Sequence, residues 1–139
     1  MRIRRLAVPA AVVLIVGTLA GCAAWRPTMC SAVGWTNQVR VHVVGDTAQV
    51  DDVTFCAGTD CTPPPPPTPA PNTTYLTTRD GDEWTLITDM QTPNTGHLAA
   101  YDETGARLID QQVALRWVRV GGSAECGGPE RADVTLHLP

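Results

Sequence analysis

The chain contains no lysine, a single phenylalanine (Phe55) and only two serines, Ser31 and Ser123. Each shortage removes a class of chemistry. Without lysine, the glycine-rich "GGSAECGG" around Ser123 lacks the residue that completes a phosphate-cradling P-loop. Neither serine stands in the G-x-S-x-G setting of a nucleophile elbow. The three histidines, His42, His97 and His137, form no H-x-H or H-E-x-x-H spacing, so no metal-ligand motif is legible. Four Trp, two Tyr and one Phe leave few aromatic rings to line a carbohydrate-cleaving cleft. Positive charge is also scarce, which excludes a basic patch for nucleic acid.

What is present begins with an address. Arg2, Arg4 and Arg5 precede an apolar stretch from Leu6 to Ala20, broken only by Thr18 and weakened as a helix by Pro9 and Gly17. The stretch is shorter than the roughly 20 residues needed to span a hydrocarbon core. A charged start, a short apolar middle and small residues at the end describe a secretory signal. It closes on Leu19-Ala20-Gly21-Cys22. "LAGC" resembles the lipobox of bacterial lipoproteins. The resemblance implies a diacylglycerol on the Cys22 thiol, cleavage before Cys22, and a signal peptide over residues 1–21. Two acyl chains supply the two signals that stable anchoring takes. Ala23 follows the cysteine where the family's inner-membrane retention signal would place Asp. Residues 22–29, including Trp25, then read as a lipidated tether on the extracytoplasmic face of the cell membrane. No cofactor is implied.

Removing the leader takes away three of the ten positive charges and none of the fourteen negative ones. The resulting acidic excess favours solubility and holds the body away from an anionic membrane surface. Of the five cysteines, the lipid claims one. Cys30, Cys56, Cys61 and Cys126 remain, and an oxidising compartment invites them to pair. "CAGTDC" sets Cys56 and Cys61 around a turn that carries Gly58 and Asp60. So short a loop costs little entropy to close, which favours Cys56–Cys61 and leaves Cys30–Cys126.

Residues 30–139 read as strands. "VRVHVV" alternates, with Val39, Val41 and Val43 on one side and Arg40 and His42 on the other. "VTFC", "TYLTT" and "EWTLITDM" follow, the last two separated by the Asp80-Gly81 turn. Leu98–Tyr101 and Arg107–Asp110 flank "DETGA", a hairpin signal. "QVALRWVRV" places Val113, Leu115 and Trp117 on one face, then slips, which predicts a bulge or burial on both faces. "ADVTLHL" directs Val134, Leu136 and Leu138 inward. No later segment has a helical period. The pattern predicts an all-β fold: a single Ig-like or transthyretin-like antiparallel β-sandwich of seven or eight short strands with two disulfides. The proline-rich tract, residues 62–74, reads as a long exposed loop of that domain, and Trp84 and Trp117 read as core.

Seven of the fourteen acids gather in three groups: Asp80, Asp82 and Glu83; Asp102 and Glu103; and Asp51 with Asp52. The first could offer oxygen ligands to calcium, although it is no EF-hand loop. No catalytic set and no metal site emerge. The body, from "CSAVGW" through "VTFCAGTDC" to "ECGGP", is similar to small lipoproteins of high-GC Gram-positive bacteria in its cysteine placement and strand rhythm. That resemblance implies a context and no activity. The expected function is a membrane-anchored, non-catalytic binding or structural module of the cell envelope, not an enzyme, whose partner is an envelope protein or glycan. The alternative is a small envelope enzyme, a metal-dependent hydrolase assembled from scattered acids. A carrier with an apolar cavity is a third, disfavoured by so short a chain.

Overall fold

Alternating valines set the centre of the first sheet. Val39, Val41 and Val43 are at most 2 % exposed, while Arg40, His42 and Val44 face outward. Strand β1 (Asn37–Val44) is flanked by β5 (Glu83–Thr88) and β9 (Glu130–His137). This computed structural model describes residues 28–67 and 77–139. The leader, Cys22, Trp25 and the distal part of the proline-rich tract lie outside the described residues. The chain divides into two units, Met1–Cys30 and Ser31–Pro139. All of the elements that follow belong to the second.

The remaining strands are β2 (Asp52–Ala57), β3 (Asp60–Thr62), β4 (Thr77–Asp80), β6 (Thr95–Tyr101), β7 (Arg107–Ala114) and β8 (Trp117–Arg119). They form a five-stranded sheet in the order β4-β5-β1-β9-β8 and a four-stranded sheet in the order β3-β2-β6-β7. The fold is all-β, with no α-helix among the described residues. Val39, Val41, Trp84, Leu86 and Leu136 from the first sheet share one core with Val53, Phe55, Leu98 and Val113 from the second. Burying each large side chain stabilises the fold by about 1.5–3 kcal/mol. The β4–β5 turn has Gly81 at φ +61°, and the β6–β7 turn has Gly105 at φ +80°. Both are backbone conformations that favour glycine.

Four departures from the sequence expectation have identifiable causes. The described residues form nine strands, with a three-residue β3 and with β8 split from β7. The pairing is not purely antiparallel: β1 and β9 run parallel, with Val41 opposite Val134. Buried Asn37 links their starts, its Oδ1 accepting the Glu130 backbone N–H at 2.9 Å. The slipped rhythm after Leu115 is not a bulge. There the chain leaves the second sheet, and Trp117–Arg119 joins the edge of the first, paired with Glu130–Ala132. The proline tract does not begin as an exposed loop. Thr62 still pairs with Phe55, Pro63 is buried and Pro66 packs on Gly105.

Candidate functional site

At the end of the sandwich where β2 turns into β3, the core is left open. A groove of about 390 Å³ runs between β2–β3 of one sheet and the end of β5 of the other. Its apolar surface comes from Phe55, Ala57, Ile87 and Pro93, and its polar edge from Thr36, Asp60, Thr62, Thr88, Asp89 and Gln91. Cys61 completes one wall. It is joined to Cys56, its cross-strand partner, with the two Cα atoms 4.0 Å apart.

Local chemistry explains why this end stays open and keeps its shape. The inward alternation Val53, Phe55, Ala57 continues past the last large side chain, so Ala57 brings little bulk to the rim. The Phe55 ring lies over Gly96, where a side chain would overlap it. The segment after β5 forms the opposite rim and is pinned from three directions. Asn37 Nδ2 donates to the Gln91 carbonyl at 3.1 Å, and the Asn37 N–H to the Asp89 carbonyl at 3.2 Å. Trp117 Nε1 donates to the Pro93 carbonyl at 2.8 Å, and the Leu115 N–H to the Asn94 carbonyl at 2.8 Å. Across the groove, Thr62 Oγ1 donates to the Ile87 carbonyl at 3.1 Å. A rim fixed in advance does not have to be ordered at the moment of binding.

The opposite end of β2 carries a second hollow of about 460 Å³, lined by Asp51, Asp52, Asp102, Glu103, Thr104, Gly105, Pro66 and Pro67. It brings together two of the three acid groups seen in the sequence. Burial pushes the Asp52 carboxyl above its ordinary pKa, against the opposing effect of the Val53 N–H that it accepts. Asp102 is held below its ordinary value, chiefly by the Thr104 hydroxyl and next by the Ala106 N–H. Its Oδ1 accepts from Thr104 N, Thr104 Oγ1 and Ala106 N at 2.8, 2.6 and 2.9 Å. This carboxylate is occupied in closing the β6–β7 turn. Among the described residues that line the hollow there is no histidine, arginine or serine.

The third acid group stays apart. Glu83 forms an ion pair with Arg40 at 3.1 Å across the outer face of the first sheet, and Asp80 and Asp82 lie at the β4–β5 turn. Among the described residues, no cluster of three or more His, Cys, Asp or Glu side chains is placed to hold a metal ion. His97 Nδ1 lies 3.0 Å from Asp110, which also accepts from Arg107 at 3.1 Å. None of that exposed trio lines either hollow. Ser123 Oγ accepts the Cys126 N–H within the glycine-rich loop. Cys30 and Cys126 are each disulfide-bonded. Trp84 is buried with the Arg79 guanidinium over its ring at 4.9 Å, whereas Trp117 is half-buried and serves the groove rim.

Phe55, Ala57, Ile87, Pro93 and Asn37 were not singled out as site residues by the sequence reading. The one legible signal was the lone phenylalanine in a strand followed directly by a cysteine-closed turn. No protein-family model, curated protein or solved structure matches the chain.

Proposed function

We propose that the protein is a lipid-anchored, extracytoplasmic binding module of the cell envelope, and that it binds through the groove between β2–β3 and β5. The observation that carries the binding role is the groove itself, apolar on its floor, polar on its edge and fixed by side-chain hydrogen bonds to its rim. Small-ligand sites have this composition, with volumes from about 300 Å³ upward. The location rests on the "LAGC" signature and is supported by the oxidised state of Cys30, Cys56, Cys61 and Cys126. We place the body among Ig-like or transthyretin-like sandwiches on its size and two-sheet arrangement.

Two measurements test this. Cys22→Ser is expected to lose its acyl mass and leave the membrane fraction; a processed but unacylated protein that stays in the membrane would overturn the anchor. Titrating the mature domain with a panel of small apolar amines, acids and alcohols is expected to shift the backbone amide signals of Ala57, Ile87 and Gln91. A panel that leaves all three unmoved would overturn the groove. A second reading, acid–base hydrolysis, has one observation in its favour: Asp52 and Asp102 share a hollow with their carboxyl pKa values pushed in opposite directions. The commitment of Asp102 to its own turn weighs against it.

A further inference from the structure

We infer that the groove selects organic cations: an apolar body such as a single ring or short alkyl chain, carrying one ammonium or guanidinium group. The inference rests on the groove as the binding site and adds the chemistry of its ligand. The floor made by Phe55, Ala57, Ile87 and Pro93 offers apolar contact and no charge. Among the described residues that line it, the charged groups are Asp60 and Asp89, both exposed, with no arginine or histidine. Three acids elsewhere on the described surface are matched by an arginine: Glu83 by Arg40, Asp110 by Arg107 and Asp133 by Arg131. Among the described residues, neither Asp60 nor Asp89 takes part in an ion pair.

The two aspartates differ in what they can give. Asp89 accepts from the Gln91 N–H at 2.8 Å and from Gln91 Nε2 at 3.1 Å, which orients its carboxylate without neutralising it. Asp60 stands across the groove at the start of β3, next to the Cys56–Cys61 bridge that holds this edge in place. Two like charges on facing rims raise the local negative potential, and an apolar floor between them keeps field lines from being dispersed through water. A neutral apolar ligand uses only the floor. An anion of the same shape meets repulsion from both sides. A cation uses both the floor and the edge. The volume, at the low end for small-ligand sites, admits one ring or a short chain and excludes a bulky polycyclic body.

The test uses three isosteric probes on the mature domain: phenethylammonium, phenethyl alcohol and phenylacetate. Each is titrated at low and at high salt, with amide shifts read at Ala57, Asp60, Ile87 and Asp89. The cation is expected to bind roughly threefold to tenfold more tightly than the alcohol, the ordinary reach of partly exposed ion pairs. The acid should bind more weakly than the alcohol. Added salt should compress the difference, because exposed charges are screened. Asp60→Asn, on an exposed edge position, should bring the ratio of cation to alcohol affinity closer to one. Equal affinity of cation and alcohol at the groove would overturn the cation preference and leave the groove as a binding site. Tighter binding of the acid would do the same. Failure of all three probes to shift these residues would remove the groove reading, and the inference with it.

Discussion

The two ends of strand β2 differ in what they do with polarity. At its start, Asp51 and Asp52 meet Asp102 and Glu103, and much of the available hydrogen bonding is spent on closing the β6–β7 turn. At its other end, Ala57 runs out from under cover beyond buried Phe55, and the hydrogen bonds hold the rim rather than fill the space. The acid-rich end looks more like chemistry in a bare sequence. The apolar end is better built as a site. Asp102 Oδ1 already accepts three bonds and is committed to its turn, whereas apolar surface held open still has burial to gain.

The largest effect is expected where the groove floor depends on a missing side chain. A Cβ at Gly96 would overlap the Phe55 ring and come within 2.9 Å of the Cys56 carbonyl oxygen. Gly96→Ala should therefore destabilise the domain by about 3 kcal/mol, as overpacked cores do. It should also displace Phe55 toward the groove. Denaturant unfolding measures the first effect, and the loss of probe-induced shifts at Ala57 in the folded fraction measures the second. Wild-type stability in this variant would mean that Phe55 has room to move, so that the floor is not fixed.

A middle-sized effect is expected at Asn37, which is fully buried and joins β1 to both β9 and the groove rim. Asn37→Ala removes two part-buried hydrogen bonds, to the Glu130 N–H and the Gln91 carbonyl, at a cost of about 1–2 kcal/mol in all. The loss should appear as a lower unfolding midpoint and as faster amide exchange in residues 89–91. Unchanged exchange there would separate the rim from the β1 anchor.

The smallest effect is expected at the acidic end. Burial raises the Asp52 pKa, so the folded state holds its proton more tightly than the unfolded chain does. Its ionised form therefore costs stability above the ordinary carboxylate range. That cost disappears as the pH falls below the unfolded value. Asp52→Asn should stabilise the domain at neutral pH by less than about 1 kcal/mol after solvent screening, and the gain should vanish in acid. Thermal unfolding across the carboxylate range would measure it. A gain that persists in acid would point to packing rather than charge.

The contrast also marks how far the sequence could be read. Local rules were legible: alternation in "VRVHVV" placed three valines in the core, and "DETGA" and Asp80-Gly81 marked turns that are hairpins. Cys56 and Cys61 are near neighbours in sequence and face each other across one hairpin. Adjacency across the sandwich was not legible. Phe55 and Pro93 meet at one groove only because the chain changes sheet between β5 and β6. Asn37 looked like an ordinary polar residue, and its importance follows from partners at positions 91 and 130. The Trp117 slip was visible, but period alone does not distinguish a bulge from a change of sheet.

The central place of β1 has a further consequence for how the chain comes together. The earliest strand of the body waits for neighbours drawn from the middle and the far end of the sequence, β5 and β9. During synthesis, its edge toward β9 is therefore without a lasting partner until residues beyond 130 have emerged. Distant partners of this kind slow folding and lengthen the time in which an open strand can meet another chain. A nascent chain halted just before Glu130 would carry that strand half-paired, and it is there, rather than at either hollow, that self-association should begin.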